Sequence, residues 1–277
     1  MPNNSQTNFS ALKLSIITIN LNNSGGLEKT IRSIVSQTFI DFEFLIIDGC
    51  SDDNSVEIIT KYSDRINYWI SEPDNGIYQA MNKGIKKSGG EYCFFLNSGD
   101  YFVNEKVLEN VFEKEFKEDV VFGNLLVLLN NKIIGKSKGK DKISFIDVYS
   151  SLIKHQAAFM RRRLFDKFGL FNEELRIIAD WEFFLKTVGS GGASYKYLDI
   201  DISCFDNNGL SNHNGPLILE ERKKVIDKFI PSMMQPDYEL LSKLGMYEKV
   251  IGYKLAHFIL RLMAKGIKVY ETICNRK

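Results

Sequence analysis

The first hundred residues alternate between short apolar runs and amphipathic segments, and this alternation limits the fold more than any other feature of the chain. The apolar runs have the length and composition of buried strands, and they lie at 13–21, 42–48, 66–72 and 91–97. The segments between them have the apolar spacing of helices, at 22–37 with Ser24 as N-cap, from about Asn54, and at 76–90. This alternation predicts right-handed βαβ units and a parallel sheet.

The alternation loosens after Asp100. We predict a hairpin at 119–140 that turns at Asn130–Asn131, a helix followed by a loop at 159–175, a helix ending in glycines at 179–192, and a strand at 193–205. From Ser242 onward the pattern is helical and basic. The expected organisation is a polar tail at 1–12, one α/β domain at 13–235 and a basic amphipathic helical extension at 236–277.

Charge and cysteine usage exclude several classes of protein. A formal net charge of +1 over 277 residues gives no electrostatic basis for binding nucleic acid. The four cysteines are scattered without metal-ligand spacing, which indicates reduced thiols in a cytosolic protein. The N-terminus lacks the apolar stretch of a signal peptide, and we find no run of about 18 apolar residues that could cross a membrane. We therefore expect a cytoplasmic protein.

Polar clusters follow the predicted strands, at the edge where open α/β sheets bind ligands. Asp48 ends the second strand, and its carboxylate can accept hydrogen bonds from ribose hydroxyls or a base N–H, or else serve with Asp52 and Asp53 in helix capping. Residues 74–76 form a turn before a helix whose N-terminus can bind an anion; an ordinary turn with a cap explains them as well.

The first strand-to-helix turn, 18–26, argues against a dinucleotide enzyme. It lacks the G-x-G-x-x-G pattern that approaches a pyrophosphate. The turn carries the amides Asn20, Asn22 and Asn23 instead, and these suit a different mode of nucleotide binding.

Two further acidic positions are candidates for chemistry. Asp100 ends the stretch NSGD after the fourth strand, where a hard oxygen ligand could hold Mg²⁺ or Mn²⁺ against a diphosphate. Asp180 and Glu182 begin a predicted helix two positions apart, so they do not share a face. One of them, desolvated beside Trp181, could act as a general base; alternatively, the pair only favours the helix dipole.

The order of these segments resembles glycosyltransferase family 2, in the bacterial branch that builds surface polysaccharides. The matching stretches cover about residues 13 to 185 and include SIITINLNNSGG, LIIDGCSDDNS, EPDNGIYQAMNKGI, FLNSGD, HQAAFMRR and ADWEFFLK. The resemblance implies the GT-A nucleotide-diphospho-sugar transferase fold, a mostly parallel central sheet flanked by helices. Residues 13–100 would form its nucleotide-binding half and residues 101–235 its acceptor-side half.

The resemblance also implies roles for single residues. Asp180 would be the catalytic base, and Asp100 would belong to the metal and diphosphate site. Independently of the resemblance, His213 in the polar loop 205–215 is a candidate late metal or phosphate ligand, or else a solvated loop residue. The donor nucleotide and sugar would contact Thr18, Asn20, Asp48, Asp74 and Asn97. The acceptor side would include His155, Gln156, Trp181 and Glu182, with a core role for His155 equally open.

The chain departs from the family at the metal site. The family often shows D-x-D or D-D there, whereas this sequence has Asn97 and Gly99 ahead of Asp100. We expect weak affinity for Mg²⁺ or Mn²⁺ without donor, because phosphate oxygens and water must supply the remaining ligands.

The implied reaction is a direct displacement. Asp180 removes the proton of an acceptor hydroxyl, which attacks the anomeric carbon of a nucleotide-diphosphate sugar with inversion of configuration. The acceptor would be a glycan or a lipid-linked glycan. Two rival classes stay open: a catalytically weakened nucleotide-sugar-binding protein on the same fold, and a nucleotidyltransferase or dehydrogenase on a related sheet.

The tail at 242–277 has one apolar helical face and a basic one. Its eight basic residues outnumber two acidic ones. The apolar positions recur at steps of three and four, at Leu244, Tyr247, Ile251, Leu255, Phe258 and Leu262. Such a helix packs on the catalytic domain or on a second subunit, which leaves a homodimer open, or lies peripherally on the anionic inner face of the cell membrane.

Overall fold

The structure, a computed structural model, describes residues 12–130, 132–206, 215–241 and 243. The chain divides into two compact units, Met1–Val225 and Ile226–Lys277. Of the predicted basic helical extension 236–277, the structure describes 236–241 and 243, which are helical; the rest of it lies outside the described residues, and so does His213.

The first unit begins with the predicted strand–helix alternation. Its elements are β1 (Leu14–Asn20), α1 (Ser24–Val35), β2 (Phe42–Asp48), α2 (Ser55–Lys61), β3 (Tyr68–Ser71), α3 (Ile77–Lys87) and β4 (Tyr92–Phe95). All four predicted strands are confirmed, and each boundary lies within two residues of its expected position.

The later elements are shorter and less regular. They are β5 (Tyr101–Phe102), α4 (Val107–Phe112), β6 (Val120–Leu129), β7 (Lys132–Ser137), α5 (Phe145–Tyr149), β8 (Ala158–Arg161), α6 (Arg163–Phe168), α7 (Ala179–Phe184), β9 (Tyr195–Asp206) and α8 (Gly215–Phe229). β6 and β7 form the predicted hairpin, with Asn130 in the left-handed region at φ 52°. α7 runs into a π-helical turn at Leu185–Gly189, which ends at the first of the glycines expected to end the helix.

The described strands form one sheet in the order β3-β2-β1-β4-β8-β6-β9-β5, with β7 paired to β6. β3, β2, β1 and β4 are mutually parallel, whereas β8 is antiparallel to both β4 and β6. Asn20 pairs with Asp48, and Asp48 pairs with Ser71, at the ends of three neighbouring strands. The parallel half therefore collects its strand-end residues at one edge, as βαβ units require.

The core surrounds β1 and β4, whose residues are all buried. Helix α3 approaches β1 so closely that a Cβ on Gly84 would lie 2.4 Å from Cγ2 of Ile17. Phe94 on β4 stacks on Phe159 of β8, with ring centroids 4.5 Å apart. These contacts attach the antiparallel strands to the parallel half.

The start of α1 differs from the expectation. The N-cap is Asn23 rather than Ser24, because the Asn23 side chain accepts from the Gly26 N–H at 3.2 Å. The Asn23 amide also donates to the Ser98 carbonyl at 3.0 Å, so the loop after β4 holds this side chain at the start of α1. Asp53 accepts from the N–H groups of Ser24 at 2.8 Å and Ser55 at 3.0 Å, which agrees with a capping role for that residue.

Of the second unit, the structure describes 226–241 and 243, including the end of α8 and a 3₁₀ turn at Ser232–Met234. No helix in the described parts of the chain is long and apolar enough to cross a membrane.

Candidate active site

The Asp48 carboxylate lies at the centre of a hydrogen-bond cluster at the end of β2. The residue is fully buried. Its oxygens accept from Asn20 Nδ2 at 2.8 Å, from Ser51 N at 2.9 Å and Oγ at 2.6 Å, and from Ser71 Oγ at 2.7 Å. Burial acts to raise the pKa of Asp48, but the hydrogen bonds from Ser51, Ser71 and Asn20 outweigh it and hold this pKa below its ordinary value. Asp48 is therefore ionised and organises three strand ends.

The turn at 74–76 lies against this cluster. Oδ1 of Asp74 accepts from the Gly76 N–H at 3.0 Å, and Gly76 has φ 124°, a conformation that favours glycine. A Cβ on Gly49 would lie 2.8 Å from Oδ2 of Asp74, so the Asp74 carboxylate approaches the backbone just after Asp48. The structure thus brings together Asp48 and Asp74, two residues that were predicted to contact the donor nucleotide or sugar.

Thr18 lies deeper than its neighbours. It is fully buried, and its hydroxyl donates to the Leu96 carbonyl at 2.8 Å across β1 and β4. In the structure Thr18 ties two strands together, and its contact with a nucleotide stays a prediction.

The stretch NSGD is held to helix α1 by one side chain. The Thr30 hydroxyl donates to the Asp100 carbonyl at 2.6 Å and accepts from the Gly99 N–H at 3.0 Å. Gly99 has φ 103°, where a side chain would be strained. The loop is thus preformed and carries Asn97 and Asp100 just after the carboxyl end of β4.

Asp100 is 5% exposed, and the hydrogen bond that its carboxylate accepts is long. Oδ1 lies 3.4 Å from the Asp206 N–H. Burial raises the pKa of Asp100 to about 7, against the lowering influence of His155 and Lys29. A buried carboxylate with so little compensation is suited to a cation, which would favour its ionised form.

In contrast, the carboxylate of Asp180, at the start of α7, has two close hydrogen-bond partners. Oδ2 lies 2.7 Å from Nδ1 of His155, and Oδ1 lies 2.9 Å from the Tyr78 hydroxyl. Burial acts to raise the pKa of Asp180, but His155, Tyr78 and the Trp181 N–H outweigh it and lower this pKa. Asp180 is therefore an ionised carboxylate that has two defined partners.

The other acceptor-side residues are part of the packing around Asp180. Trp181 is buried, and its indole N–H donates to the carbonyls of Val148 at 3.1 Å and Tyr149 at 3.0 Å. Glu182 is 4% exposed within α7. The Gln156 carbonyl accepts from the Ser203 hydroxyl. Contact of these three residues with an acceptor stays a prediction.

Three buried side-chain atoms have no hydrogen-bond partner in the described residues, and all three belong to predicted site residues. They are Asn20 Oδ1, Asn97 Oδ1 and His155 Nε2. Because buried polar atoms are nearly always paired, these three atoms are candidates for contact with a ligand or a water molecule.

The residues around Asp100 fit a cation only if a ligand completes the site. No cluster of three or more His, Cys, Asp or Glu side chains that could hold a metal ion occurs among the residues that the structure describes. Asp100 offers a hard carboxylate, and Asn97 offers an unpaired amide oxygen. A donor diphosphate would supply the other oxygens.

Sequence reasoning missed the residues that support the carboxylates. Tyr78 stands within the stretch EPDNGIYQAMNKGI, and its hydroxyl also contacts the Ile177 carbonyl at 2.6 Å. Ser51 and Ser71 complete the Asp48 cluster. Their proximity to the strand ends was visible in the sequence, but the atoms that they contact were not.

Comparison with known proteins assigns the family. A family model described as glycosyl transferase family 2 matches residues 15–167. An uncharacterised glycosyltransferase of Mycobacterium tuberculosis (strain CDC 1551 / Oshkosh) is 31% identical over 216 residues, 75% of this chain and 80% of that protein. A PGL/p-HBAD biosynthesis glycosyltransferase of Mycobacterium bovis (strain BCG / Pasteur 1173P2) is 30% identical over 211 residues, 74% of this chain and 81% of that protein.

Solved structures agree on the fold. S. aureus TarS 1-349 in complex with UDP-GlcNAc superposes with a TM-score of 0.62 at 19% identity and covers 82% of this chain and 78% of its own. The mannosyltransferase PcManGT of Pyrobaculum calidifontis, in complex with GDP-Man and Mn²⁺, gives a TM-score of 0.56 at 12% identity, with coverage of 91% and 79%. The sheet order and these matches confirm the predicted GT-A fold, with a sheet that is parallel in its first half and mixed beyond it. The chain belongs to glycosyl transferase family 2.

Proposed function

We propose that this protein is an inverting glycosyltransferase that moves a sugar from a nucleotide-diphosphate sugar to a hydroxyl of a glycan or lipid-linked acceptor in bacterial surface polysaccharide synthesis. The observation that carries the proposal is the ionised Asp180, paired with His155 and Tyr78 in the same unit as the buried Asp100. The complexes of similar folds with UDP-GlcNAc and GDP-Man, and a relative named for PGL/p-HBAD biosynthesis, support it.

The donor nucleotide binds at the edge formed by β1, β2 and β3. Asp48 and Asp74 accept hydrogen bonds from its base or ribose, and the hydroxyls of Ser51 and Ser71 can turn away from Asp48 to make room. Asn20 offers its unpaired amide oxygen, and Thr18 lines the base of the pocket. Asn97 hydrogen-bonds a sugar hydroxyl next to Gly99, where the backbone can approach closely.

The leaving diphosphate lies at Asp100. Asp100 would hold Mg²⁺ or Mn²⁺ there together with phosphate oxygens, and the bound cation would offset the charge that develops on the leaving group. His213, which lies outside the described residues, is a second proposed ligand. The PcManGT complex with Mn²⁺ supports the use of a divalent cation.

Asp180 supplies the base function. Its low pKa keeps the carboxylate ionised at neutral pH, so that an acceptor hydroxyl can lose its proton as it attacks the anomeric carbon from the face opposite the diphosphate. That geometry inverts the configuration. Gln156, Trp181 and Glu182 shape the acceptor side around it.

A panel of UDP- and GDP-sugars tests the proposal. With Mn²⁺ present, a true donor at 100 times its dissociation constant should stabilise the protein by about 2.7 kcal/mol, and the nucleoside diphosphate should be released in the presence of acceptor or slowly with water. If no donor of the panel stabilised the protein, the proposal would be wrong.

The second candidate is a nucleotide-sugar-binding protein with weakened chemistry. The loss of the leading acids before Asp100 favours it, whereas the supported Asp180 does not. Donor stabilisation without release of nucleoside diphosphate in any condition would identify this alternative.

We further propose a cytoplasmic enzyme that associates with the inner face of the cell membrane through the basic segment 242–277. The basic charge of that segment and a lipid-linked acceptor support this location. Liposome co-sedimentation of the full chain and of a chain ending at Leu241 tests it. Only the full chain should pellet, and only with anionic lipid at low salt; equal pelleting of both chains would exclude the membrane role.

A further inference from the structure

The segment 169–178, which joins α6 to α7, forms neither a helix nor a strand. It leads directly to Asp180, the second residue of α7. Backbone without regular structure lacks the repeated hydrogen bonds that fix a helix or a strand, so side chains from other elements have to satisfy and hold it. The position of the proposed base therefore depends on the side chains that bind this segment.

Glu221 on α8 binds the end of this segment. The residue is 2% exposed, and it belongs to the same compact unit as Asp180. Oε1 of Glu221 accepts from the Arg176 N–H at 2.6 Å, and Oε2 accepts from the Ile177 N–H at 3.1 Å. Both oxygens of a buried carboxyl group are thus engaged by two successive backbone N–H groups just before α7.

Ile177 connects Glu221 with the proposed base. Its N–H donates to Glu221, and its carbonyl accepts from the Tyr78 hydroxyl at 2.6 Å. The same hydroxyl lies 2.9 Å from Oδ1 of Asp180. A shift of Ile177 would therefore displace one acceptor of the Tyr78 hydroxyl, and with it the group that orients the Asp180 carboxylate.

Arg222, next to Glu221 on α8, contacts the chain just after Asp180. Its guanidinium carbon lies 4.1 Å from the centre of the Trp181 ring, a distance at which a cation and an aromatic ring attract each other. Nη2 of Arg222 donates to the Tyr149 carbonyl at 2.7 Å, which fixes the guanidinium in this place. Helix α8 thus binds the chain on both sides of the base, through Glu221 before it and through Arg222 after it.

We propose that Glu221 is a positioning residue for the reaction. It fixes the Ile177 peptide, so that Tyr78 holds the Asp180 carboxylate in the orientation in which Asp180 accepts the proton of the attacking hydroxyl. This inference rests on the proposed glycosyltransferase function. Because a misplacement of about 1 Å can cost about 10² in rate, a residue of this kind changes turnover without changing how tightly the donor binds.

The effect of Glu221 on the segment can be measured without any substrate. Glu221→Gln keeps the shape of the side chain but replaces one accepting oxygen with an NH2 group, which must face one of the two backbone N–H groups. Amide hydrogen exchange at 172–182, followed by mass spectrometry, should become faster in this variant. Glu220→Gln makes the same chemical change on a neighbouring side chain that is 61% exposed, and it should match the wild type. Unchanged exchange in Glu221→Gln would overturn the proposal.

Turnover and donor binding are then measured separately. UDP-GlcNAc and GDP-Man, with Mn²⁺ and with water as acceptor, serve as probes, and the release of nucleoside diphosphate is followed. We expect Glu221→Gln to lower kcat by more than about threefold and by up to about 10², while the KM for the donor and donor-induced thermal stabilisation are kept. A smaller fall in kcat, or a loss confined to KM, would overturn the assignment. If Glu221→Gln does not fold, Glu221→Asp, which keeps the carboxyl group but shortens its reach, takes its place with the same expectations.

A double-mutant cycle with Tyr78→Phe tests the route from Glu221 to Asp180. If Glu221 acts through Ile177 and Tyr78, the loss of kcat in the double variant should be smaller than the product of the two single losses. Losses that multiply would show two independent effects and would overturn the positioning role while leaving the proposed function intact. A wild type that neither binds nor cleaves any donor of the wider panel would instead overturn the proposed function, and the positioning role with it.

Discussion

The Tyr78 hydroxyl on α3 lies 2.9 Å from Oδ1 of Asp180 on α7, although 102 positions separate the two residues. The same hydroxyl lies 2.6 Å from the Ile177 carbonyl, so a single proton serves two acceptors. If Asp180 gained a proton at Oδ1, it could donate to Tyr78, and Tyr78 could donate to Ile177. The contact therefore joins helix α3 to the Asp180 carboxylate in either protonation state.

Asp180→Asn should keep donor binding and lose transfer. The amide cannot act as a base or stabilise a charged His155, so we expect the rate of transfer to fall by about 10²–10⁴, measured as release of nucleoside diphosphate. Asp166→Asn makes the same chemical change on a side chain that is 66% exposed, and it should behave like wild type. Turnover of Asp180→Asn within a few-fold of wild type would contradict the assignment and make Glu182 the next candidate.

Asp100→Ala should abolish metal-dependent donor binding while the fold survives. The Asp100 carboxylate has a long 3.4 Å contact with the Asp206 N–H, so its removal should break little of the structure. In the wild type, UDP- or GDP-sugars should raise the thermal stability more with Mn²⁺ than with EDTA. In the variant, the stabilisation should be the same under both conditions. Wild-type transfer that is unchanged by EDTA would show that the site works without a cation.

Asp48→Ala should weaken the binding of the free nucleoside diphosphate and of the intact sugar-nucleotide by the same factor. The proposed contact is to the nucleoside, which both ligands share. Isothermal titration calorimetry with the two ligands measures this directly. A loss confined to the sugar-nucleotide would place Asp48 near the sugar instead.

Asp48→Asn should lower stability in a pH-dependent way. At neutral pH the Asn side chain keeps a single accepting oxygen, so its NH2 group would face either the Ser51 N–H or the Asn20 amide, at a cost of about 1–3 kcal/mol. The folded pKa of Asp48 lies below its ordinary value of 3.8, so its ionised form stabilises the protein above that pH, and this contribution is lost as the pH falls through the folded pKa. Urea unfolding at several pH values should therefore show a difference that is largest near neutrality and shrinks below about pH 4. A stability difference between wild type and variant that stayed the same at every pH would contradict the lowered pKa of Asp48.

Gly84→Ala should destabilise the protein through the contact between α3 and β1. The added methyl group would lie 2.4 Å from Ile17 Cγ2, and overpacking of this kind costs about 1–3 kcal/mol. The better helix propensity of alanine returns up to about 1 kcal/mol. Gly135→Ala is the control, because a Cβ there meets nothing within 4 Å. Urea unfolding of Gly84→Ala that matched the control would show that the helix shifts without cost.

The sequence alone determined the parallel half of the fold. Apolar runs such as 42–48, amphipathic segments and turn residues are local signals, and they predict strands, helices and the edge at which Asp48, Asp74 and Asp100 gather. Because βαβ units have one hand, these local signals predict that the strands are parallel, whereas the order β3-β2-β1-β4 comes from the structure.

Only the tertiary structure decided which atoms of those residues are engaged. Ser71 lies 23 positions from Asp48, and His155 lies 25 positions from Asp180, and no periodicity connects either pair. Their contacts arise where separate elements pack, so they depend on the shapes of whole surfaces rather than on neighbouring residues. The sequence therefore predicted the carboxylates of the site, whereas packing decided that Asp48 is enclosed by donors, that Asp100 is poorly supported, and that Asp180 is paired with a histidine.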